Sequence, residues 1–340
     1  MTTYRGSGHP GATVDRNPGA AQRLPPDPRP EGRRLRRIAI VWTALWEVAR
    51  RVPEPLAYAS ADLAARVQHR LASATRARVR ANFARVVAAE SLDATVKDAF
   101  RSYARYWVEA FRAADISPAD IDRRTTTAGF EHLDAALEQG RGVVVLLAHH
   151  GSWDSAARWA ENHGYHLAVV AEVLRPRSVF KRFVALREAI GLEVVPLAKG
   201  AQLTGRLAEV AAANHLVGLL TDRDLSGRAP VTDFFGEPAR IPVGAAVLSR
   251  RTGAPIVPIT MLQRPGRRWH LQVLPIVEVA DVPLAAAAGR IAAALEALIL
   301  LEPAQWHAFQ PVWAADLHAP RRDGGHASAA APAADEKLPS

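Results

Sequence analysis

The fold is decided by one stretch of sequence, GVVVLLAHHGSWD, which runs from Gly142 to Asp154. Residues 142–148 have the length and the β-branched composition of a buried strand. Ser152 stands where the N-cap of a following helix belongs, and Asp154 falls in the first turn of that helix. The pattern predicts a strand, a short loop and a helix, with His149 at the carboxyl end of the strand.

Short apolar runs recur after this stretch and alternate with helical or loop segments. They occupy residues 142–148, 167–170, 192–196, 216–220, 254–260 and 270–276. Before them, the alanine-rich segment from Leu56 to Arg112 has helical spacing of its apolar residues. Strands that alternate with helices indicate an α/β fold. We therefore expect a central mixed β-sheet flanked by helices, preceded by a helical N-terminal subregion.

The composition limits the function. The 340 residues are 49% hydrophobic and carry a net charge of +9, concentrated toward the front, which favours anionic partners. The absence of cysteine excludes disulfides, thiolate metal sites and an acyl-cysteine intermediate. We predict a disordered basic arm over residues 1–34, a single catalytic domain over 35–318 and a disordered tail over 319–340. The arm has no apolar segment typical of a secretory signal, so a cytoplasmic location is expected.

The front of the chain carries signs of a membrane surface. Residues 38–48 are apolar, contain two tryptophans and are flanked by arginines, but they are shorter than a bilayer span and include Glu47. Six arginines and no acid lie between Arg66 and Arg85. A helix at a membrane interface and a core helix with basic ends both fit residues 38–48. We predict that residues 35–115 face a membrane.

His149 and Asp154 are the first candidates for catalysis, because they lie where open α/β sheets place their ligands. In this hypothesis Asp154 accepts a hydrogen bond from Nδ1–H of His149. Nε2 is then free to take a proton from a hydroxyl that attacks an activated carbonyl. A structural histidine at a strand end remains the alternative, and we interpret His150 as structural.

A second charged cluster follows the predicted strand 216–220. Asp222 or Asp224 is a candidate to support His149 or to bind an acceptor hydroxyl. Arg223 or Arg240 is a candidate to bind a phosphate or an oxyanion. A local ion pair in a turn explains the same residues.

A third cluster combines Glu172 with basic side chains that extend to Arg187. Its basic members suit the phosphates of a nucleotide-bearing donor such as coenzyme A. A solvated amphipathic helix is the alternative.

These residues resemble a known family. The spacing His-x4-Asp, here His149 to Asp154, resembles the signature of the lysophospholipid acyltransferase superfamily of the lipid A biosynthesis type. More narrowly, the chain is similar to the actinobacterial phosphatidylinositol mannoside acyltransferases over residues 38–315. The similar segments are SYARYW at 102–107, AHHGSWD at 148–154, DRDL at 222–225 and FFGEPAR at 234–240.

The resemblance implies a glycerol-3-phosphate acyltransferase-like fold and an acyl-CoA-dependent O-acyltransferase. Such an enzyme moves a fatty acyl chain, palmitoyl, to a mannose hydroxyl of phosphatidylinositol mannoside, as a peripheral protein at the cytoplasmic face of the plasma membrane. It implies His149 as the base, Asp154 as its partner, and Asp222, Glu172 and Arg187 lining the site.

With Arg223, Asp224 and Arg240 these residues form the predicted substrate site, and the choice between Asp222 and Asp224 stays open. We expect no metal, no cofactor and no nucleic acid partner. Another lysolipid or glycolipid acceptor, or a thioesterase or lipid hydrolase with the same base, stays open as the alternative function.

Overall fold

The structure is a computed structural model that describes residues 32–173, 175–197 and 201–317. The basic arm and the C-terminal tail predicted from the sequence lie outside these residues, apart from the last positions of the arm. There the first helix begins at Arg33, inside the predicted arm. The reason is that arginines are good helix formers and precede an apolar run that packs as a helix.

A helical region forms the N-terminal part of the described chain, as predicted. Its helices are α1 (Arg33–Arg51), α2 (Glu54–Leu71), α3 (Ser73–Phe83) and α4 (Ala89–Arg112). On α1, Trp42 and Trp46 are buried against Phe111 of α4. The rest of the α1 surface exposes apolar side chains, among them Ile40 and Leu45. The interpretation as a core helix is confirmed for the face that carries the two tryptophans, and the interpretation as a membrane-interface helix stays a prediction.

The rest of the chain alternates strands with helices. The strands are β1 (Thr125–Ala128), β2 (Val143–Leu147), β3 (Leu167–Ala171), β4 (Leu192–Pro196), β5 (Leu216–Leu220), β6 (Val231–Phe234), β7 (Glu237–Arg240), β8 (Ile256–Arg264) and β9 (Arg268–Val273). The helices are α5 (Pro118–Arg124), α6 (Phe130–Leu137), α7 (Trp153–Asn162), α8 (Arg177–Ala189), α9 (Ala201–Ala212), α10 (Gly244–Thr252), α11 (Leu284–Leu300) and α12 (Ala314–Leu317).

Seven strands form one mixed sheet in the order β1-β9-β8-β2-β5-β3-β4. All neighbours are parallel except β8 and β9, which form an antiparallel pair. The predicted mixed sheet with flanking helices is confirmed. Side chains of β2 alternate between two cores, because Val144 and Leu146 join one buried cluster and Val143 and Val145 join another.

Three strands were not predicted from the sequence. β1 is the polar segment TTTA, which has no apolar run. β6 and β7 form a separate antiparallel hairpin whose strands are polar and include Pro238. Phe235 and Gly236 join them with φ of 53° and 78°, and two positive φ values are what a tight hairpin turn with the right twist requires.

The order of the strands positions the site. β2 lies at the centre of the sheet, parallel to β5, with Leu147 opposite Leu220. Because the two strands end side by side, residues that follow them meet at one edge of the sheet. Within the described residues, no helix is both long and apolar enough to cross a bilayer.

Candidate active site

Backbone hydrogen bonds hold the loop between β2 and α7 in one conformation. The amide of Gly151 donates to the carbonyl of Gln305 at 3.0 Å, and the amide of His307 donates to the carbonyl of His149 at 2.7 Å. Gly151 has φ of 66°, and a Cβ there would lie 2.1 Å from the carbonyl oxygen of Met261. Only glycine fits this close approach, so the loop that carries His149 is rigidly placed.

Asp222 is the carboxylate that contacts the His149 ring. His149 Nδ1 lies 2.7 Å from Asp222 Oδ1, and the His149 amide donates to Oδ2 at 3.1 Å. The indole N–H of Trp306 donates to the same Oδ2 at 2.9 Å. The predicted hydrogen bond from Nδ1 to Asp154 is therefore wrong. The paired strands β2 and β5 bring Asp222 to the ring, whereas Asp154 is directed elsewhere by α7.

The environment keeps Asp222 ionised. Burial by itself would raise the pKa of this carboxyl, but the charge of His149 and the hydrogen bonds from His149 and Trp306 outweigh burial and lower it. An ionised carboxylate can only accept, so Nδ1 of His149 must carry the proton in the hydrogen bond. When the ring is neutral, Nε2 is then left as an acceptor, and when the ring takes a second proton there, the imidazolium is stabilised by Asp222. The His149 side chain is 24% exposed while that of Asp222 is 2% exposed, so the ring reaches solvent and its partner does not.

Asp154 belongs to a second, separate pair. It accepts a hydrogen bond from the Tyr106 hydroxyl at 2.9 Å and from Arg187 Nε at 2.9 Å. Burial and the neighbouring charge of Asp154 raise the pKa of Tyr106 well above its usual value. Burial would lower the pKa of Arg187, but Asp154 and Tyr106 raise it, so the guanidinium stays charged. Trp153 directly precedes Asp154, and the centroid of its ring lies 5.5 Å from that of the His149 ring.

His150 is buried and plays the structural part predicted for it. Its Nδ1 lies 2.9 Å from Thr260 Oγ1, and its Nε2 lies 3.0 Å from the carbonyl oxygen of Glu302. Burial lowers the pKa of His150 to about 4. The ring is therefore neutral at pH 7 and fastens the loop to β8 and the C-terminal segment.

The remaining predicted residues lie around the dyad without contacting it through a hydrogen bond in the described part of the chain. Asp224 accepts from the amides of Ser226 and Ala229 at 2.8 and 2.9 Å, and Arg240 donates to the Ala229 carbonyl at 3.0 Å. Both side chains therefore hold the loop after β5. Since Asp224 is engaged there and Asp222 contacts the ring, Asp222 is the acidic neighbour of His149.

Two further predicted residues lie near the ends of strands and form no ion pair within the described ranges. Arg223 follows Asp222 directly, is half-buried, and has no ion pair among the described residues. Glu172 is half-buried just after β3, two strands away from β2. The catalytic and binding roles of all these residues stay predictions.

Ser152 occupies the N-cap position of α7, but its side chain does not cap the helix. The hydroxyl donates instead to Glu109, a carboxylate with 1% exposure on α4. Glu109 also accepts from Tyr58 and Arg105. The expected capping hydrogen bond is therefore wrong, because a buried carboxylate competes successfully for the same hydroxyl.

Sequence reasoning missed Trp306, His307 and Glu109. The signal for the first two was present as the segment QWHAFQPVW at residues 305–313, an aromatic-rich stretch in an alanine-rich region. Nothing local marks Glu109, which lies in an ordinary helical pattern. Over the described ranges, no group of three or more His, Asp or Glu residues has an arrangement that could hold a metal ion.

Comparison with known proteins gives consistent matches. A family model described as bacterial lipid A biosynthesis acyltransferase matches residues 29–315. The phosphatidylinositol mannoside acyltransferase of Mycobacterium tuberculosis is 38% identical over 309 residues, which is 88% of this chain and 96% of that protein. The phosphatidylinositol mannoside acyltransferase of Mycolicibacterium smegmatis is 36% identical over 286 residues, which is 83% of this chain and 93% of that protein.

Proposed function

Because the chain belongs to the family of bacterial lipid A biosynthesis acyltransferases, and is thus an enzyme that transfers acyl groups, we propose its specific reaction. It moves a fatty acyl chain, palmitoyl, from acyl-CoA to a mannose hydroxyl of phosphatidylinositol mannoside. The names of relatives that are 36–38% identical to this chain support this choice of acceptor. The observation that carries the chemistry is the hydrogen bond of 2.7 Å between His149 Nδ1 and Asp222 Oδ1.

His149 is the general base of this reaction. Its Nε2 takes the proton of the mannose hydroxyl while the hydroxyl oxygen attacks the thioester carbonyl carbon. The tetrahedral intermediate then collapses, the C–S bond breaks, and the imidazolium returns the proton to the departing coenzyme A thiolate. Asp222 keeps the ring in the tautomer with Nε2 free and stabilises the imidazolium between the two steps. A base of this kind contributes ~10²–10⁴-fold to the rate.

Asp154 acts through Arg187. The pair fixes the guanidinium, which is 19% exposed while Asp154 is 2% exposed, so that its remaining N–H groups face an anionic group of the substrate. A fixed, charged guanidinium suits a thioester oxyanion or a phosphate, since it offers several donors in one plane.

The other predicted residues complete the substrate site. Arg223 provides a second positive charge beside Asp222, and Glu172 accepts from an acceptor hydroxyl. Asp224 and Arg240 hold the loop that forms one wall.

The protein acts as a peripheral enzyme at the cytoplasmic face of the plasma membrane, with an anionic membrane surface as partner. The support is α1, whose Ile40, Val41, Leu45 and Val48 are 51–68% exposed. Basic residues precede and follow this apolar face, which is the composition of a helix that lies in a membrane interface.

Mass spectrometry of lipids tests the proposal. The purified protein is incubated with palmitoyl-CoA and with phosphatidylinositol mannosides, and we expect an added acyl chain on the mannolipid and stoichiometric release of coenzyme A. His149→Ala should abolish the product and leave the protein folded. Equal consumption of acyl-CoA with and without mannolipid would instead show a thioesterase.

A further inference from the structure

A pocket of about 270 Å³ lies between α2 and α4, and its lining includes none of the proposed catalytic residues. Five of its six lining residues are basic or histidine; they are Arg66, His69, Arg70, Lys97 and Arg101, with Ala65 at the base. We call it the α2–α4 pocket. A concave surface lined by so many cationic side chains attracts an anion.

The positive charge of the α2–α4 pocket is only partly neutralised. Asp62 is shared between Arg66 at 2.8 Å and Arg101 at 2.9 Å. In the described part of the chain, neither Arg70 nor Lys97 forms an ion pair. Burial, followed by the charges of Arg76, Lys97 and Arg70, lowers the pKa of His69. Arg101 also pairs with Asp98 at 3.3 Å, so the two carboxylates offset part of the charge and the pocket keeps a net positive charge from Arg70 and Lys97.

An exposed apolar strip runs along the same helix beside the pocket. Leu63, Val67 and Leu71 of α2 are 62%, 46% and 78% exposed and recur at intervals of one turn. Arg66 and Arg70 follow Leu63 and Val67 by three residues, so each basic side chain neighbours an apolar one on the helix surface. An apolar strip bordered by cations matches the change from acyl chains to headgroups at a membrane surface.

The α2–α4 pocket is distinct from the catalytic site. Lys97 precedes Tyr106, which contacts Asp154, by nine positions on α4. At 1.5 Å per residue this separation is about 14 Å along the helix. A ligand in the pocket therefore does not have to compete with a hydroxyl or thioester at His149.

We propose that the α2–α4 pocket binds the phosphate of an anionic phospholipid headgroup while the apolar strip of α2 lies among the acyl chains. The inference rests on the membrane association stated under the proposed function. Arg70 and Lys97, which form no ion pair with any residue that the structure describes, carry the charge that the phosphate neutralises. Arg66 and Arg101 border the bound group. The free phosphates of coenzyme A share the same chemistry and form the second arm of the test.

The test compares two double variants with the same change in charge. Arg70→Gln with Lys97→Gln alters the pocket, and Arg251→Gln with Arg268→Gln alters exposed residues on α10 and β9. Binding is measured by flotation with vesicles of phosphatidylcholine, with and without phosphatidylinositol, and by calorimetry with coenzyme A. We expect the pocket variant to bind the phosphatidylinositol vesicles about thirtyfold more weakly, at ~1 kcal/mol for each basic side chain. Its affinity for coenzyme A should match the wild type.

Three results would overturn the proposal. Equal losses in both double variants would show diffuse attraction, and a loss of coenzyme A affinity confined to the pocket variant would assign the pocket to the donor. The third result is wild-type protein that binds vesicles equally well with and without phosphatidylinositol, which would show that the pocket does not bind this headgroup. Acyl transfer to a detergent-dispersed acceptor is measured in parallel and should survive in the pocket variant. If the wild type lacks transfer altogether, the proposed function fails while the vesicle comparison still decides the pocket.

Discussion

Replacing Asp222 by Asn tests the dyad most directly, because the two side chains have the same shape. Oδ2 of Asp222 accepts two N–H groups, from the His149 backbone and from the Trp306 indole, while Oδ1 faces His149 Nδ1. In the variant, the single amide oxygen satisfies both N–H donors only in the Oδ2 position. The amide NH₂ then faces Nδ1 and donates to it, which forces the ring proton onto Nε2. The base is lost although the ring stays in place.

The size of the effect follows from the loss of the base. General base catalysis contributes ~10²–10⁴-fold, and a trapped wrong tautomer is the extreme case, known to cost about 10⁴ in a serine protease triad. We expect kcat to fall by about 10³-fold or more, which is ~4 kcal/mol at 1.36 kcal/mol for each factor of ten. KM for acyl-CoA should stay within a few-fold, because the Asp222 side chain is buried behind the His149 ring.

The assay is steady-state release of coenzyme A with a mannolipid acceptor, with the acylated product quantified by mass spectrometry. Asp224→Asn is the matched control. It removes the same charge only two residues further along the chain, at a carboxylate that accepts the amide of Ser226 in the loop after β5. We expect it to change kcat by less than tenfold. If Asp222→Asn retains kcat within tenfold of the wild type, or if the control loses as much, His149 is not activated by Asp222.

Three further outcomes are expected from the geometry. Gly151→Ala should lower the free energy of unfolding by more than ~1 kcal/mol, because its Cβ would lie 2.1 Å from the Met261 carbonyl oxygen; an unchanged urea midpoint would contradict this. Burial lowers the pKa of His150 to about 4, so between pH 6.5 and 4 the folded state binds fewer protons than the unfolded state. The free energy of unfolding therefore decreases as the pH drops through this window, by up to ~3 kcal/mol. Urea titrations across that range should show a flatter profile for His150→Gln, and an identical slope would mean that another group is responsible. Leu45→Glu should weaken flotation with anionic vesicles without lowering the melting temperature, since this side chain is 51% exposed; undiminished binding would remove α1 from the membrane contact.

The sequence by itself determined the kind of protein and the place of its site. The α/β fold with a helical N-terminal region could be predicted because the spacing of apolar residues that is typical of a strand or a helix is visible within a few consecutive residues, such as 142–148. The loop that carries His149 was evident for the same reason, since an apolar strand ends in polar groups. Membership of the acyltransferase family followed from short motifs of adjacent residues, which need no knowledge of distant contacts.

Only the tertiary structure decided which carboxylate meets His149. Asp154 is five positions away along the chain and Asp222 is 73 positions away, so sequence distance favoured the wrong partner. The pairing of β2 with β5 brings Asp222 to the ring, and the first turn of α7 sends Asp154 to Tyr106 and Arg187. A hydrogen bond depends on tenths of an ångström and on side-chain direction. Both are set by strand pairing and helix packing across the whole chain, which no local pattern encodes.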